Sequence, residues 1–315
     1  MSATSPFLPS CALPTPRAER RRRALAAALG RVLLLAVPAA VRAEPAPPAV
    51  TADAVVLMDL ETGRVLYAKN AEGDRAPASL VKLMTLYLAY ADLHTGKVQF
   101  GEPVIVSPNA ARTPRFRMGF VAGQVVPFEI LLAGAAIASA NDAATAVAEH
   151  LAGSEEAFVV RMNAEAQRMG LGQTVFANPH GLPDPTQHTT ARDMALLAEH
   201  LLTDFPESRE LLAETEFAWR GRVYRRRVPL FRDPGGVTAL KTGFTLEAGY
   251  NLAVAAGKAG HRLLCIVLGA ETRGLSFVDA RRLLKFGFGE PVPEPRGDVR
   301  RWRGRVPTTR TSSRR

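Results

Sequence analysis

The chain runs to 315 residues, 47% apolar and 22% charged, enough for one large or two ordinary domains with a buried core. Its formal net charge is +10, but residues 1–43 and 296–315 contribute +6 and +7, which leaves the body between them at −3. Basic ends on a mildly acidic body exclude a broad nucleic-acid-binding face as the source of that charge, and no nucleic-acid partner is expected.

In chain order, Arg17 and the arginines at 20–23 precede an apolar stretch over 32–41, and Val41-Arg42-Ala43 offers a cut before Glu44. That pattern predicts a signal peptide over 1–43, too short to span a membrane comfortably, and hence an exported protein. A basic arm followed by an apolar helix is the plainer alternative. A Pro/Ala-rich linker is expected over 44–53. Residues 54–59 and 64–68, joined by Leu60-Glu61-Thr62-Gly63, read as a β-hairpin. A mostly apolar helix is predicted from Ser79, then short strands and loops over 97–127, and helices over 128–138, 142–150 and 155–169. Thr190-Ala191-Arg192-Asp193 has the form of a capping box opening a helix through Leu202. A basic, strand-like stretch at 223–228 follows. Strands around 240–242, 250–256 and 262–268 and a final helix over 277–286 complete the body, and Cys265 falls in an apolar run as a buried small hydrophobe.

Strands at both ends with helices between them predict an α+β fold: one mostly antiparallel sheet built from both chain ends, with an inserted helical region. The catalytic domain is expected over 54–290, with an Arg-rich disordered tail over 291–315. The tail suits weak association with an anionic membrane or wall polymer, against the alternative of a solvated tail.

Three short patterns carry the chemistry: Ser79-x-x-Lys82, Ser139-Ala140-Asn141 and Lys241-Thr242-Gly243. Each is weak singly. A Ser-x-x-Lys arises by chance roughly once in a chain this long, and Ser79 or Ser139 could simply cap a helix. Lys241-Thr242-Gly243 could be a strand end with a turn glycine. Their order and context raise their weight. The first opens an apolar helix and puts Ser79 and Lys82 on one face; the second sits between two apolar helices; the third lies on a strand whose glycine permits close approach.

Together with Ser139-Ala140-Asn141-Asp142-Ala143-Ala144, Asn178-Pro179-His180-Gly181-Leu182-Pro183, Thr190-Ala191-Arg192-Asp193 and Gly249-Tyr250-Asn251-Leu252, these patterns closely resemble the low-molecular-weight D-alanyl-D-alanine carboxypeptidases, penicillin-binding proteins of the serine β-lactamase/transpeptidase type. The resemblance runs from about 54 to 288. It implies an exported enzyme, periplasmic or on the outer face of the cytoplasmic membrane, that removes the terminal D-alanine from peptidoglycan stem peptides. No cofactor or metal is called for, and β-lactams would act as covalent inhibitors. The implied catalytic residues are Ser79, Lys82, Ser139 and Asn141. Lys241, Thr242, Gly243 and Phe244 would bind substrate, the N–H groups of Ser79 and Phe244 forming an oxyanion hole.

A serine hydroxyl needs an adjacent base, and a free lysine is only about 0.04% neutral at pH 7. Lys82 is therefore expected to be buried near a second cation, Lys241 being the candidate. One departure stands out: the family's arginine near a Phe is replaced by Ser276 before Phe277, and Arg273 is the nearest arginine. Rival readings are a D,D-endopeptidase with the same machinery, a β-lactamase, for which no Glu-x-x-x-Asn activating deacylating water is found between Asn141 and Lys241, and a non-catalytic wall-binding protein. The six histidines lack metal-ligand spacing.

Overall fold

The computed structural model describes residues 47–232 and 236–292. The expected leader and all but the first two positions of the expected tail lie outside them. No helix among the described residues is long and apolar enough to cross a membrane.

The elements run β1 (Ala54–Asp59), β2 (Val65–Lys69), a 3-10 turn (Ala78–Val81), α1 (Lys82–His94), β3 (Pro103–Ile105), α2 (Pro108–Arg112), β4 (Val125–Pro127), α3 (Phe128–Ala136), α4 (Asn141–Ala152), α5 (Glu155–Arg168), α6 (Ala191–Asp204) and α7 (Ser208–Ala213). They continue with β5 (Glu216–Trp219), β6 (Arg222–Arg225), a 3-10 turn (Pro229–Arg232), β7 (Val237–Thr245), β8 (Gly249–Lys258), β9 (His261–Ala270) and α8 (Arg273–Gly287). The fold is α+β. Five strands form one sheet in the order β2-β1-β9-β8-β7, and every pairing is antiparallel.

The strand sequences explain why this sheet lies in the middle of the molecule. Every residue of β1 is buried. Its alternating side chains divide between two cores: Ala54, Val56 and Met58 join one, Val55 and Leu57 the other. β9 divides the same way, Leu264, Ile266 and Leu268 against Leu263, Cys265 and Val267. A strand covered on both faces reads as a continuous apolar run instead of an alternating one. The first core is shared with α1, α3, α4, α5 and α6, and the second lies under α8. Helix α1 is buried nearly all round, with Leu83, Met84, Leu86 and Tyr87 all in the core, as expected of a helix inside a layer instead of on it. Each fully buried Leu of this kind contributes about 1.5–3 kcal/mol.

Several boundaries differ from the sequence reading, each for a local reason. α8 begins at Arg273, a turn before the expected start, because the Thr272 hydroxyl caps it by accepting from Leu275 N at 3.2 Å. Of the basic stretch at 223–228 only residues 223–225 are strand: they belong to β6, the second half of a hairpin whose first strand, β5, the sequence did not reveal. Helix α7 was also not anticipated; its six residues are too few for a periodic signal. At the start of α6 only half of a capping box forms. Thr190 Oγ1 accepts from Asp193 N at 3.0 Å, but the Asp193 carboxylate turns away to accept from Gln173 N at 2.9 Å and the Thr174 hydroxyl at 2.7 Å.

Candidate active site

Ser79 lies in the 3-10 turn that leads directly into α1, and Ala78 before it adopts φ +49°. Its hydroxyl caps nothing: Pro77 holds the cap position, without a side-chain bond. One helical turn on, Lys82 is fully buried. Its Nζ lies 3.2 Å from Ser79 Oγ and donates to Asn141 Oδ1 at 2.8 Å and to the His180 carbonyl. Burial pushes the Lys82 amine down to about 7, against the opposing attraction of Asp142.

This geometry poises a base. A neutral amine has two N–H donors and one lone pair. The Asn141 amide oxygen and the His180 carbonyl can only accept, so they take both hydrogens. The lone pair is left for the Ser79 hydroxyl.

The 178–183 loop reaches Ser79 by close backbone approach. Gly181, at φ +83°, is required there: a Cβ would lie 2.0 Å from the Ala78 carbonyl oxygen. Thr85, one turn beyond Lys82, donates its hydroxyl to the Pro179 carbonyl at 2.6 Å. From the other side comes β7, where a Cβ on Gly243 would stand 3.0 Å from Ser79 N. Strand alternation then turns Lys241, two residues earlier, to the same side as Gly243. Lys241 Nζ donates to Ser139 Oγ at 2.8 Å and to the Thr242 carbonyl at 2.9 Å. Ser139, at φ +55°, is therefore engaged by Lys241 and caps no helix. The Lys241 amine is held well below its ordinary range, first by burial, then by the charges of Lys82 and Arg226.

The three patterns thus converge in two layers. Lys82, Asn141 and Lys241 are buried. Ser79, Ser139, Thr242, Gly243 and Phe244 line an open cleft of about 370 Å³, with Phe116, Tyr250, Asn251, Arg273, Ser276 and Phe277 completing its wall. Phe244 and Tyr250 form a cross-strand ring pair at 4.3 Å. Arg273 is the only charged residue in that lining. Its Nη2 donates to the Arg227 carbonyl at 2.9 Å, and its guanidinium lies 5.6 Å over the Phe277 ring.

Two supporting residues fall inside the quoted motifs but had no role assigned. Asp142, fully buried, accepts from Met118 N at 3.0 Å and Gly119 N at 2.8 Å, which anchors the loop carrying Phe116. That loop is pinned a second time by Asn141, whose Nδ2 donates to the Pro114 carbonyl at 3.0 Å. Asn251 Nδ2 donates to the carbonyls of Ala76, at 2.9 Å, and Pro77, holding the chain just before Ser79. The signal for Asn251 was one polar residue in an otherwise apolar strand. His180 contributes its backbone, while Leu182 N donates to its Nδ1 and Glu155 lies 3.4 Å from its Nε2. Among the described residues no group of three or more His, Cys, Asp or Glu could hold a metal ion.

A family model described as D-alanyl-D-alanine carboxypeptidase matches residues 41–272. The D-alanyl-D-alanine carboxypeptidase DacC of Escherichia coli is 39% identical over 265 residues, which cover 81% of this chain and 66% of that protein. The chain spans just under two thirds of the length of this and similar curated relatives. Among solved structures, penicillin binding protein 5 from Haemophilus influenzae superposes with a TM-score of 0.75 at 36% identity, over 78% of this chain and 73% of that one. Penicillin-Binding Protein D2 from Listeria monocytogenes, in its ampicillin-bound form, gives a TM-score of 0.68 at 28% identity, over 78% and 100%.

Proposed function

The chain belongs to the D-alanyl-D-alanine carboxypeptidase family, and from that premise we propose that it is a serine D,D-peptidase that releases the terminal D-alanine of peptidoglycan stem peptides through an acyl-enzyme on Ser79. The observation that carries this reading is the Lys82 amine, buried, lowered to about 7, and hydrogen-bonded so that its lone pair faces Ser79 Oγ.

In the proposed reaction, Ser79 Oγ attacks the penultimate D-alanine carbonyl while its proton passes to Lys82. The resulting oxyanion is stabilised by the backbone N–H groups of Ser79 and Phe244. The C–N bond then breaks as a proton reaches the leaving nitrogen by way of Ser139, whose oxygen already accepts from Lys241. Water hydrolyses the ester, with Lys82 again taking the proton. The terminal carboxylate is received by Lys241, Thr242 and Arg273, the last standing on the cleft wall near where Ser276 replaces the family's arginine. β-Lactams would acylate the same serine, and the ampicillin-bound Listeria relative supports that expectation. The substrate puts the site of action outside the cytoplasmic membrane.

The test uses a pentapeptide ending in D-Ala-D-Ala and a cross-linked muropeptide, each with and without penicillin. Free D-alanine from the pentapeptide alone, blocked by penicillin, is the expected result; cleavage of the muropeptide instead would make the protein an endopeptidase. Release at the wild-type rate by a Ser79→Ala protein would overturn the assignment altogether.

A further inference from the structure

The basic stretch after β6 has no part in the chemistry above, yet it contacts both the backbone beside Lys241 and the side chain of Arg273. Arg226 is half-buried. Its guanidinium donates to three backbone carbonyls: Leu240 at 2.7 Å, Glu214 at 2.7 Å, and Leu212. The Glu214 charge supports it against the cost of burial, and it stacks 4.9 Å over the Phe231 ring. Leu240 immediately precedes Lys241. The next residue, Arg227, presents its carbonyl to Arg273 Nη2 at 2.9 Å. Two consecutive residues therefore brace Lys241 and Arg273, one through β7 and one through the first turn of α8.

We propose that Arg226-Arg227 is the positioning element of the anion-binding end of the cleft: the Arg226 side chain fixes the Leu240–Lys241 backbone, and the Arg227 carbonyl aims Arg273. This rests on the reading of the site as a D,D-peptidase. The chemistry favours it. A planar guanidinium has five N–H donors in a fixed fork and keeps its charge. Three carbonyl acceptors, two at the end of α7 and one on β7, suit that fork, whereas an ammonium could not hold all three in the same geometry. The retained charge also adds positive potential behind Lys241, directed at a carboxylate in the cleft.

The experiment compares wild type, Arg226→Lys and Arg226→Gln on two substrates: a peptide ending in the free D-alanine carboxylate, and the same peptide as its terminal carboxamide. Amide hydrogen exchange over 237–245 is followed in parallel. In Arg226→Gln, kcat/KM for the carboxylate peptide should fall at least about tenfold more than for the carboxamide, with faster exchange in 237–245 than in β9. Arg226→Lys, which keeps the charge and loses the fork, should retain most of the carboxylate preference while still exchanging faster. If Arg226→Gln folds poorly, the Arg226→Lys exchange result alone decides the clamp. Equal losses on both substrates, or unchanged exchange over 237–245 in both variants, would overturn the proposal. A wild-type protein that cleaves neither substrate would sink the peptidase reading, and the exchange data would still judge the clamp.

Discussion

Lys82 and Arg226 both lie close enough to Lys241 for their charges to lower its amine, and both meet carbonyl oxygens where a carboxylate would be the usual partner. Burial lowers both, Lys82 to about 7 and Arg226 to about 10. The same physical force therefore has opposite consequences at neutral pH. It brings the amine to the point of losing its proton and leaves the guanidinium fully charged, because their starting points differ. One of these two groups is built to give up its charge and the other to keep it.

The comparison breaks most sharply at Lys82→Arg, which puts a permanent cation where a base is required. Acylation by penicillin should fall about 10²–10⁴-fold, the range of a lost general base, with Tm as the control for folding. A pH profile sharpens the same point. Below about 7 Lys82 is protonated and cannot accept from Ser79, so acylation should drop about tenfold per pH unit on the acid side and level off above it. On the other side, Arg273→Ala should raise KM for a D-Ala-D-Ala peptide about tenfold with a smaller change in kcat, since a surface-facing charge on the cleft wall acts mainly in binding. The smallest effect is expected at Asp142→Asn. Its charge holds the Lys82 amine up, so removing it should move the acid limb to lower pH by less than about one unit. A limb that moved upward would contradict the stated electrostatics.

Much of this was legible because the informative spacings are local. Ser79 and Lys82 are three residues apart on a helical turn, and an apolar run after them sufficed to place both at the start of a core helix. The sheet was legible for a similar reason: 54–58 and 263–268 are unbroken apolar runs, which a sheet covered on both faces demands. Relations between distant segments were not. Nothing in Arg225-Arg226-Arg227 tells which of three arginines turns inward, since that depends on where the carbonyls of Leu212, Glu214 and Leu240 arrive. Asp193 was misjudged in the same way, its local partner at Thr190 N losing to Gln173 and Thr174 from another loop. Ser139 resembled a cap until the strand bearing Lys241 came alongside.

Strand β7 is the last in the sheet order, with β8 on one side and, among the described residues, no further strand on the other. An outermost strand offers a row of peptide groups to any extended chain laid beside it, a liability that most proteins cover. Here Gly243 of that strand lies against Ser79, so under the proposed function a stem peptide would dock as a temporary sixth strand, read through its main chain. Recognition of that kind is nearly blind to side chains. An enzyme using it could trim stems of differing composition while insisting on the short, charged terminus at their end.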